Sequence, residues 1–165
     1  MVNKNIKIEL IVLDIDGVLT DGKLIIDSQN NEYKSINFRD LDAITLLKNK
    51  GLKLALLTGE DTVLLDVIAK RLGIINIIKG EKNKEKGLTQ LSKSSQIPLS
   101  NICYIGDSDR DAVALKLCGL GIVPQNSTKK AKESASVILQ SNGGDGVVHE
   151  ALEYLIVNDH LSLRE

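Results

Sequence analysis

The sequence predicts an α/β fold, a mostly parallel sheet with helices on both faces. Three observations carry this. The apolar runs at 8–13, 54–57 and 102–105 are almost uniformly aliphatic rather than alternating, as strands covered on both faces are. Between them lie stretches whose apolar residues recur three and four apart, so strands and helices alternate along most of the chain. Each central run also ends in polar groups: Asp14-Ile15-Asp16-Gly17, Thr58-Gly59 and Gly106-Asp107. Open sheets of this kind bind ligands beyond the carboxyl ends of their strands.

Each element has its own justification. The first strand is the run 8–13. Segments 23–26 and 32–38, with Ser28-Gln29-Asn30-Asn31 between them, read as the strands of a β-hairpin, so that 20–38 forms a projecting flap. Leu41, Ile44 and Leu47 mark a helix that Gly51 closes. The strand 54–57 follows, then a helix over Val63–Leu72 ending at Gly73, a strand at 74–78, and a helix at 84–93 with Leu88 and Leu91 inward. A strand at 102–105 leads to a helix at 111–117 stopped by Gly119. Segments 121–123 and 137–139 are short strands. Val147, Val148, Ala151, Leu152, Leu155 and Ile156 give a closing helix, and 158–165 is a short polar tail. The charge runs at 79–86 and 129–132, Lys84 apart, read as solvated helix faces. With no repeat and no linker, 1–165 reads as a single domain.

Composition narrows the function. The chain has 165 residues, 21 basic and 22 acidic, for a net charge of −1. No basic surplus speaks for a nucleic-acid partner. The longest apolar stretches are about six residues, far below the ~20 that span a bilayer. The start, Met1-Val2-Asn3-Lys4-Asn5, has no signal-peptide architecture, so a cytoplasmic location is expected. Cys103 and Cys118 have no ligand at metal spacing and read as small buried hydrophobes. Two histidines leave little basis for a zinc site or a catalytic triad.

The polar strand ends converge on phosphoryl transfer. Residues two apart in an extended segment face the same side, so Asp14 and Asp16 both reach the crevice and Gly17 turns the backbone away behind them. One carboxylate can attack phosphorus to form an acyl phosphate; the other can protonate the leaving oxygen and then deprotonate water. Asp107 adds a third acid, with Asp111 four residues on. Three acids and a phosphate dianion repel one another unless cations intervene, and an oxygen-only site suits Mg²⁺. Lys84 supplies a positive charge. The Thr58 hydroxyl and the backbone N–H groups after it suit phosphate oxygens.

These residues resemble the motifs of the haloacid dehalogenase superfamily of phosphatases, whose fold is Rossmann-like. Asp14-Ile15-Asp16-Gly17-Val18-Leu19-Thr20-Asp21-Gly22 resembles the first motif; Thr58, Lys84 and Gly106-Asp107-x-x-x-Asp111 resemble the second, third and fourth. The chain is most similar to the small, capless 3-deoxy-D-manno-octulosonate 8-phosphate (KDO 8-phosphate) phosphatase family. Val-Leu-Thr-Asp-Gly after the first motif, Asn37-Phe38-Arg39-Asp40 after the hairpin, and Gly143-Gly144-Asp145-Gly146 near the end carry that likeness. The resemblance implies that Asp14 is the nucleophile and Asp16 the acid/base. It implies Mg²⁺ on Asp14, the Asp16 carbonyl and Asp107, with Asp111 supporting, and a phosphoryl group held by Thr58 and Lys84. Where the family usually has a second adjacent acid, this chain has Ser108.

No cap domain fits. The hairpin and one helix take up the residues between Asp16 and Thr58, and one helix and one strand those between Thr58 and Lys84. The resemblance implies a homotetramer in which a neighbour closes each site, and the apolar hairpin agrees. The sugar pocket departs from the family. KDO 8-phosphate enzymes carry Arg where Glu60 and Ile68 stand, Gly where Leu41 and Ala43 stand, and Arg where His149 stands. Phosphatases of nine-carbon sugar acids (nonulosonate 9-phosphates such as KDN 9-phosphate) share Thr58-Gly59-Glu60 and a basic residue at Arg71. The resemblance therefore implies a phosphorylated 2-keto-3-deoxy sugar acid, eight- or nine-carbon, held by Gly59, Glu60 and Arg71. Lys34, Asn37, Arg39 and Asp40 join the substrate set, Lys34 and Arg39 from a neighbour. The alternatives are a phosphatase of other small phosphometabolites and a non-catalytic domain of this fold serving oligomerisation or regulation.

Overall fold

The computed structural model describes residues 6–161; residues 1–5, on which the export argument rests, and 162–165 of the polar tail lie outside them. Eight strands and six helices follow one another as β1 (Leu10–Leu13), β2 (Ile25–Ile26), β3 (Glu32–Tyr33), α1 (Phe38–Asn49), β4 (Lys53–Leu57), α2 (Val63–Leu72), β5 (Asn76–Ile78), α3 (Lys84–Ser95), β6 (Ile102–Ile105), α4 (Ala112–Leu117), β7 (Leu120–Val123), α5 (Lys129–Ser134), β8 (Val137–Ile138) and α6 (Val147–Val157). Six strands form one sheet in the order β5-β4-β1-β6-β7-β8, all pairs parallel. β1 lies between β4 and β6, so the chain leaves it in one direction and later returns to its other side. That reversal opens a crevice at the carboxyl ends of β1, β4 and β6.

Alternate residues of each strand feed two cores. Ile11, Leu13, Leu54, Leu56, Cys103 and Ile105 pack with α1, α2 and α6 on one face. Leu10, Val12, Ala55, Leu57, Ile102 and Tyr104 pack with α3, α4 and α5 on the other. Burying an aliphatic side chain of this size contributes about 1.5–3 kcal/mol, which is why the central strands carry no charged residue apart from the exposed Lys53 at the start of β4. Cys103 is buried, Cys118 half-buried, and both are free thiols.

Helix ends follow local chemistry. Asn37 caps α1 by accepting from the Arg39 N–H at 2.9 Å. Gly73 ends α2 in the left-handed region, φ 62°. Thr128 caps α5, the short helix that bears the second lysine run, by accepting from the Ala131 N–H. The hairpin is shorter than the sequence suggests. Its strands have two residues each, because Asp27 gathers the turn: its carboxylate accepts from the Gln29 and Asn31 N–H groups, the Asn31 amide and the Tyr33 hydroxyl. Segment 32–38 is therefore not one strand; it leaves the hairpin at Tyr33 and enters α1 at Phe38. The described part of the tail folds back, with His160 buried, its carbonyl accepting from the Ile8 N–H at 2.7 Å, and Leu161 bridging to Ile8.

Candidate active site

β1 delivers Asp14 to the centre of the crevice. Its N–H donates to the Ile105 carbonyl, extending the sheet by one residue. Beyond it, residues 15–19 make a wide turn closed by the Thr20 N–H on the Ile15 carbonyl at 3.0 Å. Gly17 sits in this turn at φ 88°, and a Cβ there would run into the Asp107 carboxylate. Glycine thus serves two needs at one position, the turn and the approach of a second acid.

Asp14, Asp107 and Asp111 place one carboxylate oxygen each within 4.8 Å of one another. Lys84, the first residue of α3, reaches into this cluster from below. Its Nζ lies 3.0 Å from Asp14 Oδ1 and 3.6 Å from Asp111 Oδ1, and donates to the Leu57 carbonyl at 2.7 Å. Asp14 Oδ1 also accepts from the Ile15 N–H at 2.8 Å. Asp14 Oδ2 has no hydrogen-bond partner among the described residues, and Asp14 lines the open crevice. Thr58, at the end of β4, is buried, and its Oγ accepts from the Glu60 N–H at 3.2 Å.

Asp111 is fully committed. Its Oδ1 accepts from the Tyr104 hydroxyl, and its Oδ2 from the Asp107 N–H, the Ser108 N–H and the Ser108 hydroxyl. It shapes the loop after β6 rather than offering a free oxygen. Ser108, standing where an acid was expected, donates its hydroxyl to Asp111 at 2.7 Å and so ties the same loop.

One lysine does not balance these acids. Burial pushes Asp14 up to about 6, against the pull of Lys84. Burial, then the charges of Asp111 and Asp14, push Asp107 up to about 7. The uncompensated donors are all oxygen, on Asp14 and Asp107, and they open onto solvent. A hard divalent cation that keeps several waters fits this donor set, and Mg²⁺ is such a cation.

Asp16 leaves the turn on the crevice side. Thr20 donates its hydroxyl to Asp16 Oδ1 at 3.2 Å, and Lys34 of the same chain, the residue after the hairpin's second strand, donates to both of its oxygens, at 2.7 and 2.8 Å. The sequence places Lys34 with a neighbour's substrate; in this chain it pairs with the chain's own acid. Gly59 and Glu60 line the crevice beside Thr58, as does Arg110, which sequence reasoning passed over. Arg110 stands at a position the motif leaves open, and only the curl of the loop turns it toward the site.

Other expected substrate residues lie elsewhere. Arg71 borders a depression formed with Phe38, Leu41, Asp42, Thr45 and Leu72, away from the acids. Asn37 lies 3.5 Å from Asp145, and Arg39 lies against Gly146. Asp40 is buried and accepts from the Val148 and His149 N–H groups, at 2.8 and 3.1 Å, so its carboxylate caps α6. The Gly-Gly-x-Gly segment also has a structural place. A Cβ on Gly143 would strike the Gly17 carbonyl, and one on Gly144 would meet the Asp21 N–H, so this loop walls the back of the turn at 15–19.

The crevice measures about 230 Å³, below the ≈300–1,000 Å³ usual for small-molecule pockets. A wider depression of about 890 Å³ lies on the outer face of α3, around Asn83, Lys86, Gln90 and Lys93, with Glu85 as its one acid.

Residues 60–150 match the haloacid dehalogenase-like hydrolase family. Over 149 residues the chain is 30% identical to the 3-deoxy-D-manno-octulosonate 8-phosphate phosphatase KdsC of Haemophilus influenzae, covering 90% of this chain and 83% of that one. KdsC of Escherichia coli K12 is 28% identical over 150 residues, 91% of this chain and 80% of the relative. Among solved structures, the 3-deoxy-D-manno-octulosonate 8-phosphate phosphatase from Moraxella catarrhalis, in complex with magnesium, phosphate and KDO, superposes with a TM-score of 0.88 at 35% identity, covering 92% of this chain and 87% of that one. The cobalt-bound phosphatase of Haemophilus influenzae superposes with a TM-score of 0.89 at 29% identity, covering 94% and 91%.

Proposed function

The chain belongs to the KDO 8-phosphate phosphatase family of haloacid dehalogenase-like hydrolases, and from that premise we propose that it hydrolyses the phosphate ester of a 2-keto-3-deoxy sugar acid through an aspartyl phosphate on Asp14. That it is a Mg²⁺-dependent phosphoric monoester hydrolase without a cap domain follows from the family and the acid cluster. One observation supports the assignment of the nucleophile: Lys84 and the Ile15 N–H fix Asp14 through Oδ1, while Oδ2 has no hydrogen-bond partner among the described residues and Asp14 lines the crevice.

The steps follow from where the side chains sit. Asp14 Oδ2 attacks phosphorus in line, and the ester oxygen leaves as Asp16 gives it a proton. Asp16 then takes a proton from water, which attacks the same phosphorus and frees Asp14 and inorganic phosphate. The Thr58 hydroxyl, nearby backbone N–H groups and Lys84 hold the phosphoryl oxygens through both steps. Asp14, Asp107 and the Asp16 carbonyl would hold Mg²⁺, whose charge would let a dianion approach three carboxylates. Asp111 and Ser108 keep Asp107 in place.

The relatives' names favour KDO 8-phosphate as the substrate. Glu60 on the crevice wall favours a nine-carbon acid such as KDN 9-phosphate as the second reading. A steady-state comparison of both acids with carboxylate-free sugar phosphates tests the class. A sugar-acid phosphate with the highest kcat/KM is the expected result, and equal values throughout would sink it.

A homotetramer belongs to the same proposal. Leu24, Ile25, Ile26, Tyr33 and Phe38 are about half exposed or more, Phe38 at 70%, on and beside the hairpin. Such a patch on an uncapped site is suited to a neighbouring copy that narrows the crevice mouth. No helix among the described residues is long and apolar enough to cross a membrane; the cytoplasm is the proposed location.

A further inference from the structure

The charges around the crevice do not all have partners. Asp14, Asp16, Glu60 and Asp107 line it. Of the cations, Lys84 is committed to Asp14 and the Leu57 carbonyl, and Lys34 to both oxygens of Asp16. Besides Lys84, Arg110 is the basic residue that lines the crevice; Lys82 lies beside Gly59 but outside the lining. Arg110 is exposed, and among the described residues it has no ion pair and no side-chain hydrogen bond. It projects from the loop between Asp107 and Asp111 toward the opposite wall. Its Nη1 lies 3.7 Å from the point a Cβ on Gly59 would occupy. Gly59 has no side chain to cover, so the guanidinium and the Lys82 stem, whose Cγ is also 3.7 Å from that point, flank bare backbone next to Thr58 and Glu60.

Two anions of the substrate compete for such a group. The phosphate belongs at the buried floor, where Thr58, Lys84 and Asp14 converge. Arg110 stands at the rim, one wall further out. A guanidinium is a planar fork with five donors, and it matches a carboxylate through two parallel hydrogen bonds. It also offsets the repulsion that Glu60 would exert on an incoming acid. We propose that Arg110 holds the carboxylate of the sugar acid and is the residue that selects acid over neutral sugar phosphates. This rests on the sugar-acid reading given above.

The test compares kcat/KM for KDO 8-phosphate, KDN 9-phosphate and D-arabinose 5-phosphate, which lacks a carboxylate, in the wild type, Arg110→Met and Arg110→Lys. The wild type prefers an acid substrate. In Arg110→Met that preference falls by roughly 10- to 150-fold, the equivalent of one charge-assisted hydrogen bond, chiefly through KM for the acid. Arg110→Lys recovers part of it. A preference that survives in Arg110→Met overturns the role of Arg110 alone, whether the rates hold or fall together. A wild type with no preference for either acid overturns the sugar-acid reading, and Arg110's role with it.

Discussion

One ammonium group, that of Lys34, holds both carboxylate oxygens of Asp16, at 2.7 and 2.8 Å. The segment leaving the hairpin is thereby tied to Asp16, the proposed acid/base, and the Lys34 side chain is only 8% exposed. The second tether, from the Thr20 hydroxyl, is longer, at 3.2 Å. On the proposed mechanism Lys34 is therefore a positioning residue for the proton transfer.

Its replacement should affect substrates according to their leaving groups. General acid–base catalysis contributes about 10²–10⁴-fold. Lys34→Met, leaving Asp16 on the Thr20 tether alone, should lower kcat/KM on an alkyl phosphate, which reports formation of the aspartyl phosphate, by about tenfold. It should lower kcat/KM much less on p-nitrophenyl phosphate, whose leaving group needs no proton. Equal losses on the two esters would show that Lys34 acts through something other than Asp16.

Asp14→Asn keeps the size of the side chain and removes the attacking oxygen's charge. Phosphatase activity should fall by at least ~10³, in keeping with loss of an essential catalytic group. Near wild-type turnover of any phosphomonoester would rule out the aspartyl phosphate. A purified protein that stays fully active in EDTA would separately rule out the metal requirement.

The raised acids tie stability to pH and to Mg²⁺. Asp14 and Asp107 sit at about 6 and about 7, both raised from 3.8. Below pH ~4 folded and unfolded chains both hold these protons. As pH rises toward ~7 the unfolded chain releases them first, so metal-free stability is lost over that interval. Mg²⁺ binds the ionised carboxylates. The rise in Tm on adding Mg²⁺ should therefore be larger at pH 8 than at pH 5, and Asp107→Asn should shrink it. The same rise at both pH values would contradict the assignment.

What the sequence reveals and hides divides along physical lines. The bounds of α2, Val63–Leu72, and of β6, Ile102–Ile105, are legible because apolar spacing and a closing glycine are local. The acids at the strand ends are legible for the same reason, since a strand must put its last residue at the sheet's edge. Lys34 beside Asp16, Arg110 over Gly59 and Asp40 under α6 are not legible, because each joins elements that only the fold brings together. The break between Tyr33 and Phe38 is hidden by an apolar pattern that suits a strand, while the Asn37 cap starts a helix.

Asp40 illustrates the difference between a motif residue and a ligand. It supplies the cap that α6 lacks on its own, since Gly146 precedes the helix without a side chain. Asp40→Ala should cost about 1–2 kcal/mol of stability, seen as a lower denaturant midpoint, and Asp40→Asn, which keeps an acceptor oxygen, should cost less. A large change in KM with unchanged stability would instead return Asp40 to the substrate.

The tetramer is open to a direct measurement. Light scattering at micromolar concentration should give about four times the 18.0 kDa chain mass. Ile25→Asp with Ile26→Asp places charge in the exposed patch and should yield smaller species with weaker activity. A monomeric wild type would defeat the proposal.

The wall that Gly143 and Gly144 build behind Gly17 and Asp21 bears on the order of assembly. The nucleophile's turn lies near the start of the chain, and the surface that braces it comes from near the other end. Contacts so distant in sequence close late, after the nearer pairings have paid the entropy of bringing the chain together. The turn at 15–19 thus cannot gain its brace until Gly143 and Gly144 are in place, so a chain still emerging from the ribosome has its carboxylates before it has the wall behind them.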